Sequence, residues 1–288
     1  MAAQDTRKDS GDGGTVEGLW RYPVKSMAGA RLDEAPVGEG GILGDRAYAV
    51  IDRTSGRVGS AKLPKKWAGL IALTADFVAP PQTGAPLPPV RIVWPDGTAV
   101  ASNEADADAR LSETVGRPVA LTAERPENVS VERLDPLADE ETVVDIGGLM
   151  MAGRFSDYAA LHLVTTATLA CLAELRPEST FDVRRFRPNA IVASPERDRG
   201  FVENDWVGRE LAIGDEVRLR ISDPAPRCSI PTLAQAGLPK DPHLLRTIVE
   251  HNTVPVPALE DEPLPCVGVY AFVIRGGTVK KGDAVRVE

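Results

Sequence analysis

Short runs in which apolar and polar residues alternate recur along the chain, and this period of two predicts β-strands joined by tight turns. Val16–Tyr22 and Ala47–Asp52 read as strands, with Asp52–Gly56 turning the chain back. Leu70–Val78, Val90–Trp94 and Thr98–Ala101 continue the pattern, the last two joined by Pro95–Gly97, while Pro80–Pro89 is a proline-rich loop. Asn103 opens a helix through Val115 that stops at Gly116, a residue suited to the left-handed turn of a helix end. Val119–Ala123 is a further strand, and the charged stretch Arg125–Asp145 with Pro126 and Pro136 reads as irregular. The boundary between two halves falls there, giving a polar tail over 1–14, a first domain over 15–125 and a second over 126–288.

In the second half Leu161–Thr165 reads as a strand, and Thr166 caps a helix to Arg176 that ends before Pro177. Asn189–Ala193 and Val267–Ile274 are apolar strands, and Asp241–Asn252 is a helix with a proline in its first turn. Glu210–Leu219 and Gly277–Val287 echo each other, each a strand, a Gly-Asp turn and a strand. Paired as hairpins, they would help close a small barrel. The expected class is a β-rich α+β fold with few helices.

Composition narrows the functional classes. A net charge of −9 argues against nucleic acid as a partner, because phosphate backbones are bound by fields of Lys and Arg. Any anion site must therefore be built locally from a few converging cations. No segment approaches the ~18 consecutive apolar residues of a membrane span, and Met1–Gly14 lacks the apolar core of a signal peptide. Three cysteines without a CxxC pair fit a reducing compartment, and the cytoplasm is expected. They also cannot supply the four thiolates of a ferredoxin-type cluster.

The chemistry-bearing candidates are few. Cys228 sits in Asp223–Thr232, a loop stiffened by Pro224, Pro226 and Pro231, with Arg227 beside it. A cationic neighbour favours the thiolate, which binds soft metals or attacks electrophiles, although a lone cysteine is more often a small buried hydrophobe. Cys171 lies in a helix's apolar run and Cys266 before an apolar strand, so both read as packing. Lys25, Lys62 and Arg187 stand at strand ends, where scaffolds display ligand-binding groups, and together they would suit a phosphate. Each alone reads as a solvated charge. No GxxxxGK[ST] or GxGxxG loop leads from strand to helix. His162, His243 and His251 lack zinc-ligand spacing with the cysteines, and no GxSxG elbow supports a serine hydrolase.

Taken together, Leu19–Ser26, Gly44–Ile51, Ser60–Lys62, Phe186–Ile191, Asp205–Trp206, Leu211–Asp215, Arg227–Cys228 with Thr232, and Gly282–Asp283 resemble the MOSC-domain family. The likeness is to its two-part members related to the mitochondrial amidoxime-reducing component, and it covers nearly everything after the tail. It implies an N-terminal β-barrel domain followed by a MOSC β-barrel-like core, with the molybdenum cofactor, Mo-molybdopterin, held between them. Carried over residue by residue, Lys25, Ser26, Lys62, Arg187 and Asn189 would hold the pterin's phosphate and polar edges, aided by Arg227. Cys228 would ligate molybdenum. Lys62 departs from the Arg of eukaryotic relatives, so a bidentate grip becomes a point charge. The proline-rich, acidic stretch Pro255–Pro265 also departs and is expected to reshape the substrate mouth.

Three functions follow from the resemblance. The first is an oxidoreductase that removes oxygen from an N-hydroxylated small molecule, fed by an external electron-donor protein such as a ferredoxin, a flavoprotein or a cytochrome b5-like protein. The second is a sulfur carrier with a persulfide on Cys228. The third is a biosynthetic enzyme that reuses the scaffold. Neither nucleic acid nor membrane is an expected partner.

Overall fold

A computed structural model of the chain describes residues 11–126, 130–134, 141–145, 154–156, 158–235, 237–256, 258 and 260–288. Seven strands close into a barrel: β1 (Gly11–Arg21), β2 (Leu161–Thr165), β3 (Ala190–Ala193), β4 (Glu210–Ile213), β5 (Val217–Pro226), β6 (Glu260–Arg275) and β7 (Ala284–Val287). Around the barrel the order is β1, β3, β2, β6, β5, β4, β7 and back to β1. Only β2 and β3 pair in parallel, and the connection between them carries the helices α3 (Thr166–Leu175) and α4 (Val183–Phe186). Closure leaves this sheet no open edge along those seven strands.

Alternation explains the barrel. On β5 the side chains of Val217, Leu219 and Ile221 are buried between more exposed arginines, and they meet Val16, Leu163, Leu211, Val269 and Val285 in one core. A second core lies in the N-terminal half. It gathers Trp67, Leu70, Ile92, Leu111 and Val119 beneath the meander Thr74–Phe77, Val90–Val93 and Ala99–Ala101 and the helices α1 (Pro64–Ile71) and α2 (Ala107–Val115). A fifth helix, α5 (His243–His251), packs on the barrel through Leu244 and Ile248. The β-rich α+β class with few helices is what the structure has. Among the described residues no helix is long and apolar enough to cross a membrane.

Several local expectations are corrected. Gly11–Gly14, assigned to a tail, belong to β1 and pair with Val285–Val287. Gly14 has φ +106° and a Cβ there would lie 1.9 Å from the Ala193 carbonyl oxygen, so the strand passes only because the residue is glycine. Leu70 and Ile71 end a helix instead of opening a strand, because Trp67, Leu70 and Ile71 form one buried helical face behind Pro64. α2 starts at Ala107, after the chain has turned over 102–106, and closes on Gly116 at φ 67° as expected. The cap of α3 is Thr165, whose Oγ1 accepts from the Thr168 N–H at 3.1 Å, one residue before the expected Thr166. Within the stretch read as irregular, Ser130–Leu134 and Glu141–Asp145 form an antiparallel pair.

The second echo segment is not a hairpin. Gly277–Lys280 pairs with Glu34–Gly38, while β7 pairs with β1 and β4. Pro255–Pro265 contributes to the antiparallel pairing of Thr253–Val256 with β6, and none of its described residues lines the cavity described below.

One buried group in the barrel wall makes the fold sensitive to acid. His162 on β2 is 6% exposed, and its Nε2 lies 3.0 Å from the Val267 carbonyl oxygen, which can only accept, so that nitrogen carries the proton. Gly268 permits the approach, since a Cβ there would sit 2.6 Å from Nε2. Burial, and then the charge of Arg227, hold His162 well below its ordinary value of 6.5. As pH falls through about 6.5, the unfolded chain takes up a proton that the folded chain refuses, and stability drops by at most about 1.4 kcal/mol per pH unit. Melting temperatures measured from pH 7 to 5 should therefore decline less steeply for His162→Gln, whose amide keeps a donor, than for wild type. Parallel curves for the two proteins would show that His162 does not titrate as described.

Candidate functional site

One cavity collects side chains from both halves of the chain. Lys25 and Ser26 follow the end of β1, with Val24 bridged to Tyr48. Ser60 and Lys62 come just before α1, Arg187 and Asn189 lie between α4 and β3, and Arg227 and Cys228 follow the end of β5. All seven residues singled out in the sequence, Lys25, Ser26, Lys62, Arg187, Asn189, Arg227 and Cys228, line it.

The sequence reading gave no role to Asp45, Arg46, His162, Tyr158 or Tyr270, which line the same cavity. Asp45 and Arg46 stood inside a motif used for the resemblance but carried no separate signal. Arg46 donates to Asp45 Oδ2 at 2.5 Å and to the Arg187 carbonyl at 3.1 Å. Its guanidinium and that of Arg187 lie over the ring of Tyr22, 4.5 and 4.4 Å from the centroid. Arg187 also donates to the Met27 carbonyl at 2.6 Å, joining the halves. Asp45 is 1% exposed and also receives the Arg154 guanidinium at 2.6 Å and the Tyr22 N–H at 2.9 Å.

Electrostatics follow from this census. Among the described lining residues are five cations, Lys25, Arg46, Lys62, Arg187 and Arg227, and one carboxylate, Asp45, already engaged by two arginines. The surplus is visible in Arg187, whose pKa falls from 12.5 to about 10 through burial first and the neighbouring Arg46 second. Two buried polar atoms of the lining, Arg227 Nε and Ser156 Oγ, have no hydrogen-bond partner, and neither has Ser229 Oγ next to Cys228. Five cations against one paired carboxylate give the cavity a lining that can take an anion.

Its backbone is strained in keeping with that task. The described chain has three non-glycine residues with positive φ, Ser26 (70°), Arg46 (48°) and Arg187 (56°), and all three line the cavity. Such conformations cost about 1–3 kcal/mol each and persist where the surroundings enforce them. Ser26 Oγ accepts the Ala61 N–H at 3.0 Å, which leaves its hydroxyl proton to donate. Lys25 Nζ donates to the Phe155 carbonyl at 2.9 Å. Asn189 has a structural task as well: Oδ1 accepts the His162 N–H at 3.2 Å and Nδ2 donates to the Trp20 carbonyl at 3.3 Å, bracing β2 and β1 on either side of β3.

The three cysteines differ. Cys228 is half-buried and faces the cavity. Cys266 is fully buried in β6, and burial pushes its thiol up to about 12. Cys171, expected as core packing, is only half-buried on α3; burial and then Glu174 raise its thiol. Neither of these two lines the cavity.

Comparison with known proteins agrees with this architecture. The family model of the MOSC domain matches residues 150–286, and that of the MOSC N-terminal beta barrel domain matches residues 13–68. Human mitochondrial amidoxime-reducing component 1 is 28% identical over 94% of this chain and 82% of its own length, and the human component 2 is 26% identical over 94% and 83%. A molybdenum cofactor sulfurase of Danio rerio is 24% identical over 86% of this chain, which spans only 31% of that protein. The chain thus belongs to the MOSC-domain family, as a two-part member with an N-terminal MOSC β-barrel domain and a MOSC domain, related to the mitochondrial amidoxime-reducing components.

Proposed function

We propose that this protein is a molybdenum-cofactor-dependent oxidoreductase that reduces N-hydroxylated small molecules, with Cys228 as the thiolate ligand of the metal. One observation carries the reading: five cations drawn from both halves of the chain and one accessible thiol surround a cavity whose one described carboxylate is already paired. The converging cations fit a ligand rich in anionic oxygens, and a lone thiolate fits a soft metal whose remaining ligands arrive with the cofactor. The names of the relatives, two amidoxime-reducing components and a molybdenum cofactor sulfurase, support the same reading.

In this reading Lys25, Ser26, Lys62, Arg187 and Asn189 hold the phosphate and polar edges of the pterin, and Arg227 adds its charge. When bound, the cofactor supplies two-electron oxygen-atom chemistry, which no side chain here can provide. The protein binds and orients the substrate and keeps the Cys228 thiol at the cavity. Overall, an N–OH group, two electrons and two protons become N–H and water. The electrons come from a separate donor protein, because three cysteines cannot hold a four-thiolate cluster and the sequence carries no flavin fingerprint.

The test is protein purified from a host that makes the cofactor, assayed for molybdenum, pterin and reduction of an N-hydroxylated probe. Turnover should require an added ferredoxin, flavoprotein or cytochrome b5 system, and reduction by NADH alone would remove the external donor from the scheme. Cys228→Ala should abolish turnover while fold and pterin remain, whereas Cys171→Ala should stay active with little change in stability, because Cys171 is only half-buried on its helix. A Cys228→Ala protein with wild-type turnover overturns the ligand assignment. Metal-free protein carrying labile sulfur on Cys228 would favour persulfide transfer, the alternative that the sulfurase relative suggests.

The cations should act together. Removing one charge-assisted contact should weaken pterin binding by about 1.5–3 kcal/mol, one to two decades in affinity. Lys25→Ala and Arg187→Ala proteins that melt as wild type yet keep full pterin content would contradict the shared anion site.

A further inference from the structure

The short helix α4 carries an arginine that no part of the proposed mechanism uses. Arg185 is 0% exposed, and among the described residues its guanidinium makes no salt bridge. It donates instead to four main-chain carbonyls: Nε to Thr180 at 3.1 Å, Nη1 to Pro231 at 2.9 Å and Leu233 at 3.2 Å, and Nη2 to Pro239 at 2.8 Å. Three of the four acceptors belong to the segment that follows Cys228. Burial of this guanidinium is costly; the charges of Asp241 and Asp182 offset part of that cost, and its donors are met by a loop.

The stitching also runs the other way. Arg227, immediately before Cys228, donates Nη2 to the Phe186 carbonyl at 2.9 Å and lies 5.7 Å from the centre of the Phe186 ring. The thiol is thus bracketed by two guanidinium ties to one four-residue helix, at one position before it and from three positions after it. The residue that ends this helix is Arg187, turned into the cavity at φ 56°. α4 therefore fixes the cavity's central cation and the cavity's thiol on a single rigid element, and Asp182 secures its start by accepting from the Arg184 N–H.

We propose that Arg185 is a positioning residue, holding the carbonyls of Pro231, Leu233 and Pro239 so that the Cys228 thiol keeps a fixed place relative to Arg187. Lys cannot replace it, because a single ammonium lacks the planar fork that reaches four carbonyls on separate turns. The role of Cys228 in turnover rests on the function proposed above, but its position does not, so the first measurement uses the cofactor-free full chain.

Iodoacetamide labelling followed by mass spectrometry reads Cys228, Cys171 and Cys266 separately in wild type and Arg185→Lys. The rate at Cys228 should change, while Cys171 keeps its rate and the buried Cys266 stays protected. In protein loaded with molybdenum and pterin, kcat should fall by up to about 100-fold, the size of effect a 1 Å misplacement can have, with KM nearly unchanged. An unaltered Cys228 rate in Arg185→Lys, or all three cysteines becoming reactive together, overturns the proposal. Should Arg185→Lys fail to fold, Pro239→Gly loosens the far anchor of the segment at an exposed position and leaves the core untouched. It should also change the Cys228 rate, and an unaltered rate there counts equally against the proposal. If labelling behaves as expected but loaded wild-type protein shows no reductase turnover, the functional reading fails and the positioning role stands.

Discussion

Five cations share a desolvated cavity with one carboxylate that two arginines already occupy, and the rest of the architecture answers to that imbalance. Like charges brought this close repel, and each also loses hydration. The protein offsets the cost without neutralising it. Arg46 and Arg187 share the face of Tyr22, several donors are turned onto main-chain carbonyls, and Asp45 anchors Arg46 to Arg154 from the other half of the chain. Burial, and then the charge of Arg46, bring the pKa of Arg187 down to about 10. An anionic ligand would relieve the repulsion.

Holding such a cluster requires a frame that does not relax. The closed barrel supplies it, since β1, β2, β3 and β6 are each locked between two neighbours where they approach the cavity, and the end of β5 is held by β6. That frame sustains positive φ at Ser26, Arg46 and Arg187, which present side chains inward at angles ordinary backbone would not allow. β1 matters most here. It is the first described strand, pairs with β3 and β7 from the far end of the sequence, and delivers Lys25 and Ser26 directly beyond its end. A site made of both halves follows from one strand lying within a barrel built mainly by the other half.

Much of this was legible in the residues. The short apolar run Leu161–Thr165, buried at all five positions, was located to the residue, and alternation located most other strands to within one or two, because a half-buried strand needs a period of two wherever it sits. Gly116 marked the end of α2 because only a residue free of a Cβ takes the left-handed turn at no cost. Several short motifs in fixed order singled out seven residues that share one cavity. The misses have local causes. Leu70 and Ile71 lie in an apolar run too short to tell strand from helix, and the partner that chooses is the core around Trp67.

The sequence by itself determined which segments could be strands, where helices must stop, and which side chains carry charge or a thiol, because those properties depend on each residue and its near neighbours. Only the tertiary structure decided who pairs with whom. The two strands of Gly277–Val287 separate to different partners because closing the barrel on β1 buries Val285 and Val287, which a local hairpin would leave without a core. Arg46, His162 and Arg185 look like ordinary polar residues in the sequence. They became cavity cation, neutral buried imidazole and loop anchor through carbonyls contributed from 46 to 141 positions away, apart from the near contact of Arg185 with Thr180. Nothing local encodes a contact between distant segments; it exists because the closed barrel fixes both ends in space.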